Sequence, residues 1–295
     1  MEMSQAVEGY LLLKATRCSP RTIEVDRGFL GQFVAWHGDH DVRSITADDI
    51  RRYLASLTER GLAPHTIRRH HAILSALYAW LSSPDIRLAA ANPVREVPPP
   101  KLPKLKPKAL SADDTKALLA AIGRSENQRR DKAIIRFCLD TGARASEVCG
   151  VKMADVDFKA GRVRVFGKGS KERFTYLGRR ALADLWLYVK EERPQPAQVG
   201  GDYLFLSEEG YGLDRHSLRL VFYRLADRAG IKASPHMLRH TAAIERLRNG
   251  MDLISLQRFL GHEKLVVTQV YLTALTDDDV AAKASRTSPG DNWRL

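Results

Sequence analysis

Apolar residues in the first hundred positions recur at helical spacing, in four segments that polar turns separate. Ser19 and Pro20 supply an N-cap and a first-turn proline for the second segment. Thr46, followed three residues later by an aspartate, is typical of a capping box before the third segment, and Pro64 opens the fourth. The pattern therefore predicts a four-helix domain over residues 1–97.

Proline and lysine dominate residues 98–108, where the regular prolines remove amide donors and prevent a continuous helix. This segment is predicted to be a linker between two domains. Lys101 and Lys104 could follow a phosphate backbone where the chain passes beside DNA, and a solvated spacer is the alternative interpretation.

Helical periodicity returns after the linker, with Ser111 as an N-cap and a further helix predicted over residues 129–140. Residues 162–177 alternate β-branched, aromatic and polar side chains around a glycine-rich centre, which is a strong hairpin signal. Helices follow again from residue 178. The predicted fold is mainly α, with a second, α-rich domain over residues 109–295 that contains a small antiparallel β-sheet.

Length and charge agree with this division. The chain of 295 residues is long for one core, and its formal net charge is +12. Residues 1–100 carry 12 Lys and Arg against 11 Asp and Glu, whereas residues 101–295 carry 35 against 24. The second domain holds nearly all of the surplus, which modestly favours a nucleic-acid partner.

Cysteine usage and hydropathy bear on the compartment. Cys18, Cys138 and Cys149 are odd in number and widely spaced, as reduced structural thiols are. No apolar run reaches the 18 or more residues of a membrane helix, and the first residues lack the cationic start and apolar core of a signal peptide. The sequence therefore predicts a cytoplasmic protein with no membrane partner.

Four short motifs of the second domain follow one another in a distinctive order. They are Thr141-Gly-Ala-Arg-Ala-Ser-Glu-Val, Gly167-Lys-Gly-Ser-Lys, His236-Met-Leu-Arg-His-Thr, and the stretch from Gly261-His262 to Tyr271-Leu-Thr. Their joint order and spacing closely resemble the tyrosine recombinase (phage integrase) family, in its compact Xer-like or transposon-borne branch. The resemblance implies six catalytic residues: Arg144, Lys168, His236, Arg239, His262 and Tyr271.

The chemistry of phosphodiester cleavage accounts for these residue types. Arg144 and Arg239 can clamp the nonbridging oxygens, because a guanidinium stays charged and donates in pairs. Lys168, at the predicted hairpin tip, suits a general acid for the departing 5′ oxygen, and Tyr271 suits the nucleophile. Nearby cations should increase the ionised fraction of Tyr271. His236 can exchange a proton with the tyrosine or bind the phosphate.

Two neighbours have supporting roles in this interpretation. Glu147 lies three residues after Arg144 on a predicted helix and can orient its guanidinium. His240 matches a commonly occupied family position and is expected to support the site by packing.

Two other kinds of site are conceivable for these residues. The spacing of His236 and His240, with His262 as a third ligand, is compatible with zinc, but Arg239 would place a fixed positive charge beside the ion. Lys168 lacks the pattern of a nucleotide-binding phosphate loop. The expectation is therefore no metal and no cofactor.

The resemblance further implies a two-domain clamp around double-stranded DNA, with the first domain as the core-binding domain. Such an enzyme forms a 3′-phosphotyrosyl link and exchanges strands through a Holliday junction. Its partners would be paired inverted half-sites and a homotetramer on two sites, or a tetramer shared with a paralogous recombinase. The C-terminal tail would dock on the next protomer. Element integration or excision and dimer resolution remain open.

The sequence is compatible with two alternative functions. A type IB topoisomerase uses the same chemistry to relax supercoils without paired sites, and a noncatalytic DNA-binding regulator could retain the fold. For DNA binding itself, the cationic start of the fourth helix is expected to enter the major groove, through His65, Arg68 and Arg69.

Overall fold

The computed structural model describes residues 1–103, 106–124, 126–167, 171–194 and 202–289. The chain divides into two compact units, residues 1–105 and 106–295. Their boundary falls inside the proline- and lysine-rich segment.

The first unit is a bundle of four α-helices in its described residues. They are α1 (Met3–Ala15), α2 (Pro20–His37), α3 (Ala47–Glu59) and α4 (Pro64–Leu81). All four match the apolar segments of the sequence. Their inward faces form one core, whose largest fully buried side chains include Phe33, Tyr53 and Tyr78.

Local caps explain why these helices begin where they do. The Ser19 hydroxyl accepts a hydrogen bond from the Thr22 amide, and Pro20 occupies the first turn of α2. Thr46 and Asp49 form the expected capping box at the start of α3, with each side chain bonded to the other's main-chain amide. Short-range sequence signals therefore set the ends of this bundle.

The second unit is also mainly helical. Its helices are α5 (Ala112–Ala120), α6 (Gln128–Thr141), α7 (Ala145–Gly150), α8 (Arg179–Glu191), α9 (Arg215–Ala229), α10 (Pro235–Arg248), α11 (Leu253–Leu260), α12 (Leu265–Gln269) and α13 (Asp277–Arg286). Helix α6 is largely buried after its first two residues and packs against both α8 and α10.

A small antiparallel sheet interrupts the helices of the second unit. Its strands, in spatial order, are β1 (Val156–Asp157), β2 (Arg162–Phe166) and β3 (Glu172–Tyr176). β2 and β3 form the predicted hairpin, and Val163 and Thr175 are paired on its buried face. The two-residue strand β1 is too short to give a periodic signal, so the sequence missed it. The predicted mainly α fold with a small antiparallel sheet is confirmed.

A second, smaller core lies beside the main one in this unit. It joins the end of α10, the buried face of α11 and the segment that follows α12, and it includes Leu247, Leu260 and Tyr271. No helix among the described residues is long and apolar enough to cross a membrane.

Candidate active site

The turn between α6 and α7 sets the position of Arg144 at the start of α7. Gly142 ends α6 in the left-handed conformation at φ +56°, and a Cβ there would lie 3.0 Å from Leu260 Cδ2. Arg144 then becomes the N-cap of α7. Its main-chain amide donates to Glu147 Oε2 at 2.7 Å, and its Nη1 donates to Oε1 at 2.8 Å. Glu147 is fully buried and fixes the half-exposed Arg144.

Glu147 has a second cationic partner, which the sequence analysis did not identify. Arg173 on β3 donates to Glu147 from Nη1 at 2.6 Å and from Nη2 at 2.8 Å. Its Nε donates to the Phe259 carbonyl at 2.9 Å. Burial opposes ionisation of Glu147, but the bonds from Arg173 and Arg144 outweigh it and hold the pKa of this carboxyl below its ordinary value.

A signal for Arg173 was present in the hairpin. Strand side chains alternate between faces, and Arg173 lies on the same inward face as the buried Thr175. A charged side chain on the buried face of a strand needs a partner, because an unpaired buried charge is strongly disfavoured.

Helix α10 carries Arg239 into the interior. Pro235 occupies its first turn, and the Ser234 hydroxyl caps it by accepting from the Met237 amide. Arg239 is 2% exposed and donates to the carbonyls of Gly142 and Leu260. Its Nη2 also lies 2.9 Å from His262 Nε2.

These contacts fix the tautomer of His262. A guanidinium only donates hydrogen bonds, so His262 Nε2 must accept from Arg239. The Nδ1 proton then points to Thr268 Oγ1, 2.9 Å away. Burial, followed by the charge of Arg239, lowers the pKa of His262 to about 4. His262 is therefore a neutral imidazole at pH 7.

His236 and His240 occupy one face of α10, with ring centroids 4.2 Å apart. Burial lowers the pKa of His240 to about 4, and that of His236 is lowered for the same main reason. His240 Nδ1 lies 3.2 Å from the hydroxyl of Tyr271. The sequence expected only packing support from His240, and its contact with the phenol was not foreseen.

Tyr271 lies in a short 3₁₀ segment, Val270–Ala274, and is 2% exposed. Its ring is nearly parallel to that of His262, with centroids 6.4 Å apart. Burial raises the pKa of the phenol, while the charges of Arg239 and Arg144 act in the opposite direction without cancelling it. The neighbouring cations therefore favour ionisation of the phenol, as expected, but desolvation is the larger effect and the net pKa lies above its ordinary value.

Five of the six predicted catalytic residues line one cleft of about 460 Å³, together with His240. They are Arg144, His236, Arg239, His262 and Tyr271. Lys168 lies outside the described residues. Within the described part of the chain, no group of His, Cys, Asp and Glu side chains is arranged to hold a metal ion.

The predicted DNA-binding residues of the first unit differ in their surroundings. His65 and Arg68 are exposed near the start of α4. Arg69 is also exposed, but it reaches the buried Asp26 at 3.5 Å and lies over the Phe29 ring, 5.5 Å from its centroid. Lys101 is exposed, and Lys104 lies outside the described residues.

Helix α9 presents a further basic surface that the sequence analysis missed. Its exposed arginines are Arg215, Arg219, Arg224 and Arg228. Tyr223 lies among them and is 68% exposed. None of these four guanidinium groups forms an ion pair with the chain as far as the structure describes it. Their recurrence at intervals of four and five residues is the signal that the sequence offered.

Comparison with known families gives two matches. The model of the phage integrase family matches residues 108–277, and that of the phage integrase N-terminal SAM-like domain matches residues 7–87. The chain is 35% identical to the tyrosine recombinase XerD of Chlorobaculum tepidum over 251 residues, which is 82% of each protein. It is also 35% identical to the tyrosine recombinase XerC of Chromobacterium violaceum over 260 residues, 87% of this chain and 85% of that protein.

Solved structures share the fold. The Tn1549 transposon integrase in complex with a circular intermediate DNA has a TM-score of 0.80 at 20% identity, covering 98% of this chain and 100% of that one. A lambda integrase dimer bound to a COC′ core site has a TM-score of 0.78 at 18% identity, covering 92% and 95%.

Proposed function

Because this chain belongs to the phage integrase family and is a tyrosine site-specific recombinase, we propose that Tyr271 is its nucleophile. The supporting observation is the cleft that gathers Tyr271 with Arg144 and Arg239. The phenol oxygen attacks the scissile phosphorus, and the bond from phosphorus to the 5′ oxygen breaks. The products are a 3′-phosphotyrosyl link and a free 5′ hydroxyl. A partner strand then reseals the link by the reverse reaction, without ATP or a metal ion.

The described side chains supply most of what this step requires. Arg144 and Arg239 bind the nonbridging oxygens and stabilise the charge that develops there. His240 accepts the hydrogen bond of the phenol at 3.2 Å and takes its proton during attack. Of the two roles expected for His236, proton exchange with the tyrosine is therefore carried out by His240. His236 has the other role and binds the phosphate. The general acid for the 5′ oxygen remains the expected Lys168.

The DNA interface follows from the exposed cations of the two units. Arg68 on α4 and Lys101 bind duplex DNA from the first unit, and the arginine face of α9 binds it from the second. In this proposal the first unit is the core-binding domain and the second is the catalytic domain.

The proposed assembly is a tetramer on two DNA sites, each with inverted half-sites, that exchanges strands through a Holliday junction. A two-site exchange assay tests it: joining of strands from two separate duplexes supports the tetramer, whereas relaxation of supercoiled DNA without exchange would favour the topoisomerase alternative.

The nucleophile is tested with Tyr271→Phe. The variant should bind DNA with near-normal affinity and form no covalent adduct, because it lacks the attacking oxygen and keeps the ring that fills the small core. A duplex selected by the protein from a random-sequence pool, nicked beside the cleavage point, traps the adduct for a denaturing gel. Tyr211→Phe, at an exposed tyrosine that does not line the cleft, serves as a control that keeps the phenol of Tyr271. An adduct formed by Tyr271→Phe would assign the attack to another residue.

A further inference from the structure

Arg173 makes the most extensive ionic contact near the cleft without belonging to any of the four motifs. We propose that Arg173 is a positioning residue for DNA cleavage, which balances the charge of Glu147 so that Arg144 keeps its positive charge for the phosphate. This inference rests on the proposed function, because it concerns the same phosphate.

The first support is the way Glu147 divides its bonds. Each carboxylate oxygen accepts one bond from Arg173 and one from Arg144, at distances between 2.6 and 2.8 Å. Glu147 is thus satisfied on both sides, with no exposed side-chain surface. Arg144 is 40% exposed in its side chain, whereas that of Arg173 is 11% exposed. Arg144 faces the cleft, and Arg173 lies behind the carboxylate.

The second support is the charge of this cluster. A single Arg144–Glu147 pair would be neutral, and a neutral pair attracts a phosphate weakly. With Arg173 added, two cations share one anion and the cluster carries a net positive charge beside the cleft. Because the carboxylate is buried, its interaction with both arginines is screened little by water. Arg173 therefore lets Glu147 orient Arg144 without neutralising the positive charge that Arg144 offers to the phosphate.

The third support is a contact with the end of α11, the helix that precedes His262. Arg173 Nε donates to the carbonyl of Phe259, near the end of α11. Gly261 ends that helix, and a Cβ on it would lie 2.9 Å from Arg173 Cδ. The next residue is His262, which bonds Arg239. One guanidinium thus links the strand β3, the carboxylate under Arg144 and the turn that carries His262.

A purely structural ion pair would predict a different outcome from variants. It would lower the stability of the protein and affect cleavage only through the folded fraction. A positioning role predicts slow cleavage by protein that is folded and bound to DNA, and a deficit that depends on the charge of the scissile phosphate.

The experiment uses the full-length protein and a nicked duplex selected from a random-sequence pool. The single-turnover rate of adduct formation at saturating enzyme is measured for Arg173→Met and Arg173→Lys. The DNA affinity and the melting temperature of each variant are measured as well. Each rate is measured on the natural phosphodiester and on a methylphosphonate, in which a methyl group replaces one charged oxygen. Arg164→Met is the matched control. Arg164 on β2 also pairs with a buried carboxylate, that of Asp155 at 2.9 Å, but neither residue lines the cleft.

For Arg173→Met we expect cleavage of the phosphodiester to slow by on the order of 100-fold, at near-normal DNA affinity. The deficit should shrink on the methylphosphonate, because a neutral phosphate depends less on the charge of Arg144. Adding Glu147→Gln to Arg173→Met should recover part of the rate, since it removes the unbalanced carboxylate. Arg173→Lys should be intermediate, and Arg164→Met should cleave normally once folded.

Three results would overturn the proposal. They are a folded Arg173→Met protein that cleaves at the wild-type rate, an equal deficit on both substrates, and no recovery on adding Glu147→Gln. Absence of any adduct with the unaltered enzyme would instead contradict the proposed function, so the two failures are distinguishable.

Discussion

Burial sets the protonation of the titratable side chains around Tyr271. The pKa values of His240 and His262 fall to about 4, and that of Tyr271 rises, in each case with desolvation as the main cause. The free enzyme therefore holds neutral imidazoles and a protonated phenol at pH 7, and the two arginines carry the positive charge. A count of basic residues along the chain could not distinguish the neutral histidines from the charged arginines.

The same effect makes stability depend on pH through His70 in the first unit. His70 is 1% exposed, its Nδ1 lies 2.9 Å from the Tyr53 hydroxyl, and burial lowers its pKa to about 4 from an ordinary 6.5. Between these values the unfolded chain binds more protons than the folded one. The stabilisation that neutral His70 contributes is thus complete above pH 6.5 and is lost as the pH falls towards 4.

His70→Gln isolates this contribution, because glutamine does not titrate. We expect the difference in free energy of unfolding between wild type and His70→Gln to decrease from pH 7 to pH 4.5, as measured by urea denaturation. Parallel curves for the two proteins would show that His70 is not the group responsible.

At the scale of elements, helix ends place the site. Gly142 ends α6 and Gly261 ends α11, both in the left-handed conformation. The loops that follow bring Arg144 and His262 to the cleft. Glycine adopts this conformation readily, whereas other residues are strained there.

Two helix ends of the same geometry provide a matched pair of variants. Gly230 at φ +66° has open space where a Cβ would lie, whereas a Cβ on Gly261 at φ +65° would meet Arg173 at 2.9 Å. Gly230→Ala should cost about 1 kcal/mol of stability from backbone strain alone and leave cleavage unchanged. Gly261→Ala should have the same backbone cost and also slow cleavage. Equal cleavage rates in the two folded variants would show that displacing Arg173 is harmless.

Helix α4 offers a second comparison, between adjacent arginines. Arg68→Ala should weaken DNA binding and lower the slope of log affinity against log salt by about 0.9, as expected for one lost phosphate contact. Arg69→Ala should lower the free energy of unfolding by about 0.5 kcal/mol, because Arg69 is half-exposed and Lys14 still pairs with the buried Asp26. Band shifts at several salt concentrations and denaturation curves test both. A lower salt slope for Arg69→Ala alone would reverse the assignment.

At the scale of the whole molecule, α13 stands apart from the cores of its unit. None of its residues is buried, and Val280 is 57% exposed. A capping box at Thr276 stabilises its start, and Asp279 reaches Arg248 at 3.3 Å. A helix with no buried face gains little from its own unit, which supports the proposal that it docks on a neighbouring protomer.

Truncation after Leu275 should therefore leave DNA binding by one protomer largely intact and reduce cooperative occupancy of paired half-sites. Val280→Asp in the full chain should reproduce the loss, because it alters only an exposed side chain of α13. Band-shift titrations on duplexes with one and two half-sites measure both effects. Unchanged cooperativity with a lower melting temperature would indicate that the helix packs within its own protomer.

The sequence alone predicted the four helices of the first unit, the hairpin, and five residues that the structure gathers in one cleft. Caps such as Ser19 and Thr46, first-turn prolines such as Pro20 and the period of apolar positions act over a few residues, so they are readable without a fold. Only the tertiary structure decided which groups meet. Arg173 reaches Glu147 across 26 positions, and His240 reaches Tyr271 across 31. Contacts of that range, and the burial that sets the pKa of each group, exist only once helices and strands have packed.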